Sequence, residues 1–224
     1  MDEDLVEHVR LAIYRAFART GHAPDPIQIA ALADVDPAEL SEALARLAAM
    51  RHLALDANGS IVMAHPFTSL NLGFSVMGRD RLWWGGCAWD SFAIPNLVAD
   101  EPRVLVATAC PGCDRPLAWH VSNTGPPTGE EVAHFLVPMS HVWDDVVQTC
   151  SNQRLFCTEG CVDSWLTATG RSKGYVMDLS TLWRLAQDWY TGRLESPYVR
   201  RDPEAAKEYF RSVGLRGSFW GIDP

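Results

Sequence analysis

Most of the chemistry that this sequence could perform resides in its six cysteines. One of them, Cys87, stands three residues before Asp90 in the segment WWGGCAWDSF. If this segment is a helix, the two side chains project from one face, where a thiolate and a proton-accepting carboxylate would meet. The alternative is a buried cysteine beside an aspartate that caps a helix, and this pair alone favours that interpretation, since free cysteine is commonly buried. Cys87 and Asp90 are therefore candidates that need a further observation.

Four other cysteines form two closely spaced pairs within the motifs CPGC and CTEGC: Cys110, Cys113, Cys157 and Cys161. Each pair follows the end of a predicted strand. The C-x2-C and C-x3-C spacings are typical of zinc ligands, and four thiolates would complete a closed, tetrahedral structural site. A redox-active dithiol at CPGC and a set of buried thiols without a metal are alternatives that the spacing leaves open.

Assigning those four cysteines to one site leaves Cys87 and Cys150. With Asp90 beside the first of them, the two thiols would form an open, two-coordinate site. Two thiolates prefer soft ions such as Cu(I), and by extension Hg(II), over hard cations. The partition of the cysteines therefore predicts a soft-metal site composed of Cys87, Cys150 and Asp90.

The overall composition narrows the classes of function. The 224-residue chain carries 28 acidic and 19 basic residues, a formal charge of −9, which argues against nucleic acid as a partner. No apolar run approaches the length of a membrane span, so we expect no membrane association. The acidic start MDEDLVEHVR is unlike a signal peptide. We therefore expect a cytoplasmic protein, in which cysteines serve as metal ligands or catalytic thiols more often than in disulfides.

The elements that must position these groups begin with a small helical unit over residues 1–66. Apolar residues at helical spacing up to Phe17 predict a first helix that Gly21 ends, and Asp36-Pro37-Ala38-Glu39 is a strong helix start. Asn58-Gly59 between two short strands indicates a hairpin. Three helices and a hairpin suggest a winged helix-turn-helix, which could bind DNA or serve as a packing domain. The acidic composition of its candidate recognition helix disfavours DNA binding.

Residues 67–224 alternate short strands with helices and predict an α+β core. Predicted strands occupy 104–109, 116–122, 132–139 and 154–156, and predicted helices start at Thr158, Ser180 and Asp202 and stop at Gly170, Gly192 and Gly214. Arg200-Arg201 is interpreted as a solvated pair, and the late tryptophans as packing residues.

In its motifs and domain order the chain resembles the organomercurial (alkylmercury) lyases. The matching stretches are RLW … CAWDSFAIP, which contains Cys87 and Asp90, and QTCS … LF, which contains Cys150. Cys110, in VLVATACPGC, falls where that family has a non-catalytic cysteine. The resemblance runs from the N-terminal unit to the helix that contains Trp189, and it implies an N-terminal winged-helix domain joined to an α+β core.

The sequence also departs from the family pattern at several positions. Gly85-Gly86 precede Cys87 where an aromatic residue is expected, and Thr149 replaces an aromatic residue before Cys150. Three cysteines are additional to the usual set: Cys113, Cys157 and Cys161. These departures concern the substrate pocket more than the fold.

The resemblance implies a function and roles for three residues. Cys87 and Cys150 would bind mercury as thiolates, and Asp90 would carry the proton that breaks the carbon–mercury bond, giving a hydrocarbon and Hg(II). Such a step requires no cofactor, so structural zinc would be additional. Expected partners are an organomercurial or another soft organometal as substrate, small-molecule thiols that release the product, and a mercuric reductase. The alternative is a non-catalytic protein that binds or senses Hg(II) or Cu(I) through the same thiols.

Overall fold

Three helices form the N-terminal part of the chain in a computed structural model that describes residues 2–223. They are α1 (Glu3–Thr20), α2 (Pro26–Ala33) and α3 (Pro37–Ala49). The predicted helix signals are confirmed: Gly21 ends α1 with a φ of 80°, and Asp36 begins α3 in a capping box with Glu39. Arg46 of α3 pairs with Glu3 of α1 at 3.4 Å, which ties the third helix to the first.

A seven-stranded antiparallel sheet follows, with strand order β1-β2-β3-β5-β4-β6-β7. Its strands are β1 (Ala54–Leu55), β2 (Ile61–Ala64), β3 (Phe67–Thr68), β4 (Ser75–Met77), β5 (Leu82–Gly85), β6 (Arg103–Ala109) and β7 (Pro116–Ser122). The predicted hairpin around Asn58-Gly59 is confirmed as β1–β2. Its second strand pairs onward with β3, so one sheet runs across position 66. The winged-helix interpretation of residues 1–66, and the boundary before Phe67, stay predictions.

A second sheet has the order β10-β8-β9 and is also antiparallel. The remaining elements are α4 (Ala88–Leu97), β8 (Val132–Phe135), α5 (Val146–Ser151), β9 (Gln153–Phe156), α6 (Glu159–Thr169), β10 (Tyr175–Asp178), α7 (Leu179–Gln187) and α8 (Pro203–Ser212), with 3-10 turns at Met139–His141 and Ser218–Trp220. Helix α4 packs against α7 and against strands of both sheets, and residues 88–95 are all buried. The predicted mixed α+β architecture is confirmed, and α4 occupies its centre.

Two predicted elements have the wrong bounds. The strand expected over 132–139 stops at Phe135, because its partner β10 begins opposite that residue, at Tyr175. The helix expected to open at Ser180 begins at Leu179, capped by the Asp178 side chain, and it ends at Gln187 well before Gly192. Within residues 2–223, no helix combines the length and the apolar character needed to cross a membrane.

Candidate active site

The turn between β5 and α4 places Cys87 and Asp90 side by side. Cys87 is the N-cap of α4: its Sγ accepts a hydrogen bond from the Asp90 backbone N–H at 3.4 Å, and its thiol donates to Asp90 Oδ2 at 3.2 Å. Both side chains are buried. The expectation that an aspartate would cap this helix is therefore wrong, because the cysteine caps it. A sulfur at a helix N-terminus lies where negative charge is stabilised.

Close packing explains the two glycines before Cys87. A Cβ at Gly86 would overlap Asp90 Oδ2 and come within 2.9 Å of Met63 Cε, and a Cβ at Gly85 would overlap the Ser91 hydroxyl. The missing side chains therefore let the end of β5 approach the first turn of α4 directly beneath the carboxylate. In this chain Gly86 makes room for Asp90.

Cys150 reaches the same point from a distant segment. It lies on α5, a six-residue helix that Asp145 caps through the Gln148 backbone N–H at 2.9 Å. The Cys150 Sγ lies 3.9 Å from Asp90 Oδ2 and 3.4 Å from His65 Nε2. The structure thus brings the three predicted residues together, and one carboxylate oxygen contacts both thiols.

Three buried residues that the sequence did not single out complete the cluster. Tyr190 donates a hydrogen bond to Asp90 Oδ1, and His65 contacts Cys150. Arg193 donates from Nη1 to the His65 carbonyl at 2.8 Å and to the Tyr14 hydroxyl at 2.7 Å, and its guanidinium lies 4.7 Å from the Tyr190 ring centroid. Tyr190 and Arg193 follow α7 in an irregular segment, where no periodicity or spacing marks a functional residue.

The electrostatics of the cluster follow from its burial. Desolvation raises the pKa of Asp90 to about 6, although hydrogen bonds from Tyr190 and Cys87 and the charge of Arg193 oppose the shift. Desolvation, with the neighbouring Cys150 thiol and the Asp90 charge, raises the pKa of Cys87 well above its ordinary value. Near neutral pH the carboxyl group is therefore ionised while the Cys87 thiol keeps its proton.

Cys150 has a pKa that is raised by a balance of opposing effects. Its hydrogen bond with Cys87 lowers the pKa, but burial and the Asp90 carboxylate outweigh that bond. Burial also lowers the pKa of His65 to about 3, so this imidazole is neutral and contacts Cys150 as a hydrogen-bonding partner without a charge. The resting site thus holds two thiols and a single carboxylate.

A cavity of about 850 Å³ opens onto these groups. Its walls include the aromatic side chains of Trp89, Trp143 and Trp189. Arg200 and Arg201 also line the cavity. The interpretation of this pair as merely solvated is therefore wrong, because both side chains also make hydrogen bonds within the protein. Arg200 donates to the Met50 carbonyl at 3.0 Å, and Arg201 donates to two backbone carbonyls after α7. The cavity therefore combines aromatic walls with a cationic margin.

The other four cysteines form a separate cluster: Cys110, Cys113, Cys157 and Cys161. Their sulfur atoms all lie within 4.8 Å of one another, and none of the four lines the cavity that contains Cys87 and Cys150. The structure therefore separates the six cysteines into the same two groups that the sequence motifs predict.

Comparison with known proteins connects this arrangement to a family. The family model for alkylmercury lyase, MerB, matches residues 67–191, more than half of the chain. The crystal structure of the mercury-bound form of MerB2 is similar in fold, with a TM-score of 0.64 at 15% sequence identity, over 84% of this chain and 90% of that one. No curated protein gives a significant sequence match. On the strength of the family match, this chain belongs to the alkylmercury lyases, enzymes that act on organomercurial substrates.

Proposed function

We propose that the protein cleaves carbon–mercury bonds by protonolysis, with Cys87 and Cys150 as mercury ligands and Asp90 as the proton carrier. The observation that carries this proposal is the position of Asp90 Oδ2, 3.2 Å from one thiol and 3.9 Å from the other. A single oxygen in that place can take a proton from a sulfur and return it to the carbon of an organic group bonded to a mercury ion that the same two sulfurs hold.

The first step is capture of the metal. Hg(II) is a soft ion, and thiolate sulfur is the soft ligand that proteins offer. Metal coordination deprotonates a thiol even when its pKa in the free protein is raised. A substrate R–Hg–X exchanges its ligand X for Cys87 or Cys150, and the departing X takes the proton of that thiol.

The second thiol supplies the proton that breaks the bond. As its sulfur coordinates mercury, its proton passes to Asp90, which is ionised in the resting site and has a raised pKa of about 6. Two thiolates donate electron density through mercury to the carbon, and Asp90 then protonates that carbon. The balanced result is R–H, HX and a mercury ion held by two thiolates, with Asp90 again a carboxylate, so no electrons are gained or lost.

The residues around Asp90 support its double role. The hydroxyl of Tyr190 on Oδ1 fixes the carboxyl group while leaving Oδ2 to the thiols. In the tautomer with a proton on Nε2, His65 can donate to the Cys150 thiolate that mercury binding creates. Asp90 and both thiols are buried, and the low local dielectric strengthens each of these interactions.

The cationic margin of the cavity supports a route for product removal. Small thiols that carry carboxylates would be attracted to Arg200 and Arg201 and could exchange with the two protein thiolates on mercury. We propose such thiols as partners for release, and a mercuric reductase as the next acceptor of the metal. Another soft organometal could use the same site by the same steps.

Benzene release from phenylmercury in the presence of excess small thiol tests the proposal. We expect Asp90→Asn to retain stoichiometric Hg(II) binding while its benzene release falls by about 10²- to 10⁴-fold. Cys87→Ser and Cys150→Ser should lose both tight Hg(II) binding and turnover. Asp80→Asn, at an exposed aspartate, is the matched control and should behave as wild type. Tight Hg(II) binding without benzene from the wild type would instead support a soft-metal carrier or sensor.

A further inference from the structure

The four-cysteine cluster has the dimensions of a metal site. The sulfur atoms of Cys113 and Cys157 are 3.5 Å apart, and all four sulfurs lie within 4.8 Å of one another. A tetrahedral zinc ion with Zn–S bonds of about 2.3 Å would place its ligand sulfurs about 3.8 Å apart. The cluster therefore needs only small side-chain adjustments to enclose one ion.

Two chain segments are packed together to build this cluster. Cys110 follows the last residue of β6, and its carbonyl accepts hydrogen bonds from the N–H groups of Cys113 at 3.3 Å and Asp114 at 2.8 Å, which closes a tight turn. A Cβ at Gly112 would overlap the carbonyl oxygen of Cys161 and lie 2.9 Å from its Cα. The glycine thus lets the CPGC turn rest directly on the first turn of α6.

Backbone N–H groups point at the sulfur atoms of the cluster. The N–H of Cys157 donates to Cys110 Sγ at 3.4 Å, joining the end of β9 to the CPGC turn. The N–H groups of Gly112 and Arg115 also interact with the sulfurs of Cys110 and Cys113. Such donors stabilise thiolates, which are the form of cysteine that binds metal.

We propose that Cys110, Cys113, Cys157 and Cys161 bind one structural Zn²⁺ ion, at a site separate from the mercury-binding thiols. Four thiolates leave no open coordination position, so the site is structural. Hard cations do not favour an all-sulfur environment, whereas zinc does. The ion joins the β6–β7 turn to the junction of β9 and α6.

A zinc ion at this location would also restrict the position of Cys150 in the catalytic centre. Cys150 on α5 and Cys157 at the end of β9 belong to one short segment, which Arg154 also holds through the Leu72 carbonyl and the Thr108 hydroxyl. An ion bound to Cys157 fixes the far end of that segment and so limits the movement of Cys150.

Metal analysis of the full-length protein, purified without mercury, tests the site. We expect about one zinc ion per chain in the wild type and in the Cys87→Ser/Cys150→Ser double variant, and loss of that zinc in Cys113→Ser and Cys161→Ser. Replacement of zinc by Co²⁺ should give the absorption bands of a tetrahedral thiolate site in the wild type, a readout that does not depend on any variant folding. The double variant should keep these bands.

Three results would overturn the proposal. The first is a wild type without stoichiometric zinc after growth in zinc-containing medium. The second is zinc that disappears in the double variant and persists in Cys113→Ser, since that would place the metal at the catalytic thiols. The third is a count of two free thiols in the denatured, unreduced Cys87→Ser/Cys150→Ser variant, which keeps only the four cysteines of the cluster, since that count would identify a disulfide within it.

Discussion

Removing the Tyr190 hydroxyl should move the acid limb of the pH–rate profile upward. This hydroxyl donates to Asp90 Oδ1 in a buried setting and is one of the interactions that lower the carboxyl pKa. A hydrogen bond to a charged group contributes about 1.5–3 kcal/mol. At 1.36 kcal/mol per pH unit, its loss in Tyr190→Phe should raise the Asp90 pKa by about 1–2 units, from about 6 to roughly 7–8.

The consequence is a loss of activity that depends on pH. The proposed mechanism needs Asp90 ionised in the free enzyme, so kcat/KM falls as pH drops through this pKa. At pH 7 the variant should be about 2- to 10-fold slower than wild type, and it should recover most of its activity near pH 9. The assay is benzene release from phenylmercury, measured across pH 5 to 9.

A matched tyrosine separates this effect from a general loss of packing. Tyr209 is partly buried and donates to the Leu185 carbonyl at 2.9 Å, without contacting Asp90. Tyr209→Phe should leave the acid limb where it is in the wild type. If Tyr190→Phe lowers kcat/KM equally at every pH, or moves the limb downward, the assignment of Asp90 as the ionised proton acceptor is refuted.

Two other substitutions probe the same cluster. Since the Asp90 pKa is raised from 3.8 to about 6 by folding, this group's stabilisation is complete below pH 3.8 and is lost as pH rises through 6. Asp90→Asn should therefore be up to about 3 kcal/mol more stable than wild type at pH 8 and nearly equal to it at pH 4, by urea unfolding; a difference that does not change with pH would contradict this. Gly86→Ala should cost about 1–3 kcal/mol and displace the carboxylate, lowering benzene release, whereas Gly125→Ala, where an added Cβ meets nothing within 4 Å, should be neutral in both measurements.

The parts of the candidate site that could be predicted from the sequence are those whose residues lie close together along the chain. The spacing of Cys87 and Asp90 and the pairing of four cysteines in two short motifs are local signals, and the helix caps at Asp36 and Thr158 are likewise local. These features depend only on hydrogen bonds and contacts between residues a few positions apart, so they can be predicted without knowledge of the tertiary structure.

What the sequence could not predict depends on contacts between distant segments. Tyr190 lies 100 positions after the carboxylate it binds, and His65 lies 85 positions before Cys150. The need for glycine at position 86 arises from Asp90 and from Met63 on β2, a strand that is separated from β5 by β3 in the sheet. The C-terminal end of β8, at Phe135, is set by where β10 begins, again a property of the partner segment.

The two proposed mercury ligands, Cys87 and Cys150, are held with different stiffness, and in the proposed mechanism this difference determines which of them adjusts to the substrate. Cys87 lies in a tightly packed turn, since an added Cβ on either preceding glycine would overlap a neighbouring side chain. Its sulfur also accepts a hydrogen bond from the Asp90 backbone N–H in the first turn of α4. Cys87 therefore has little freedom to move. Cys150 lies on a six-residue helix, too short to be stable by itself. In the proposed mechanism, the adjustment from two free thiols to two mercury-bound thiolates must therefore come from α5. Arg154 and the four-cysteine cluster anchor the strand that follows α5 and limit that movement, so the position of Cys150 depends on groups outside the proposed mercury site.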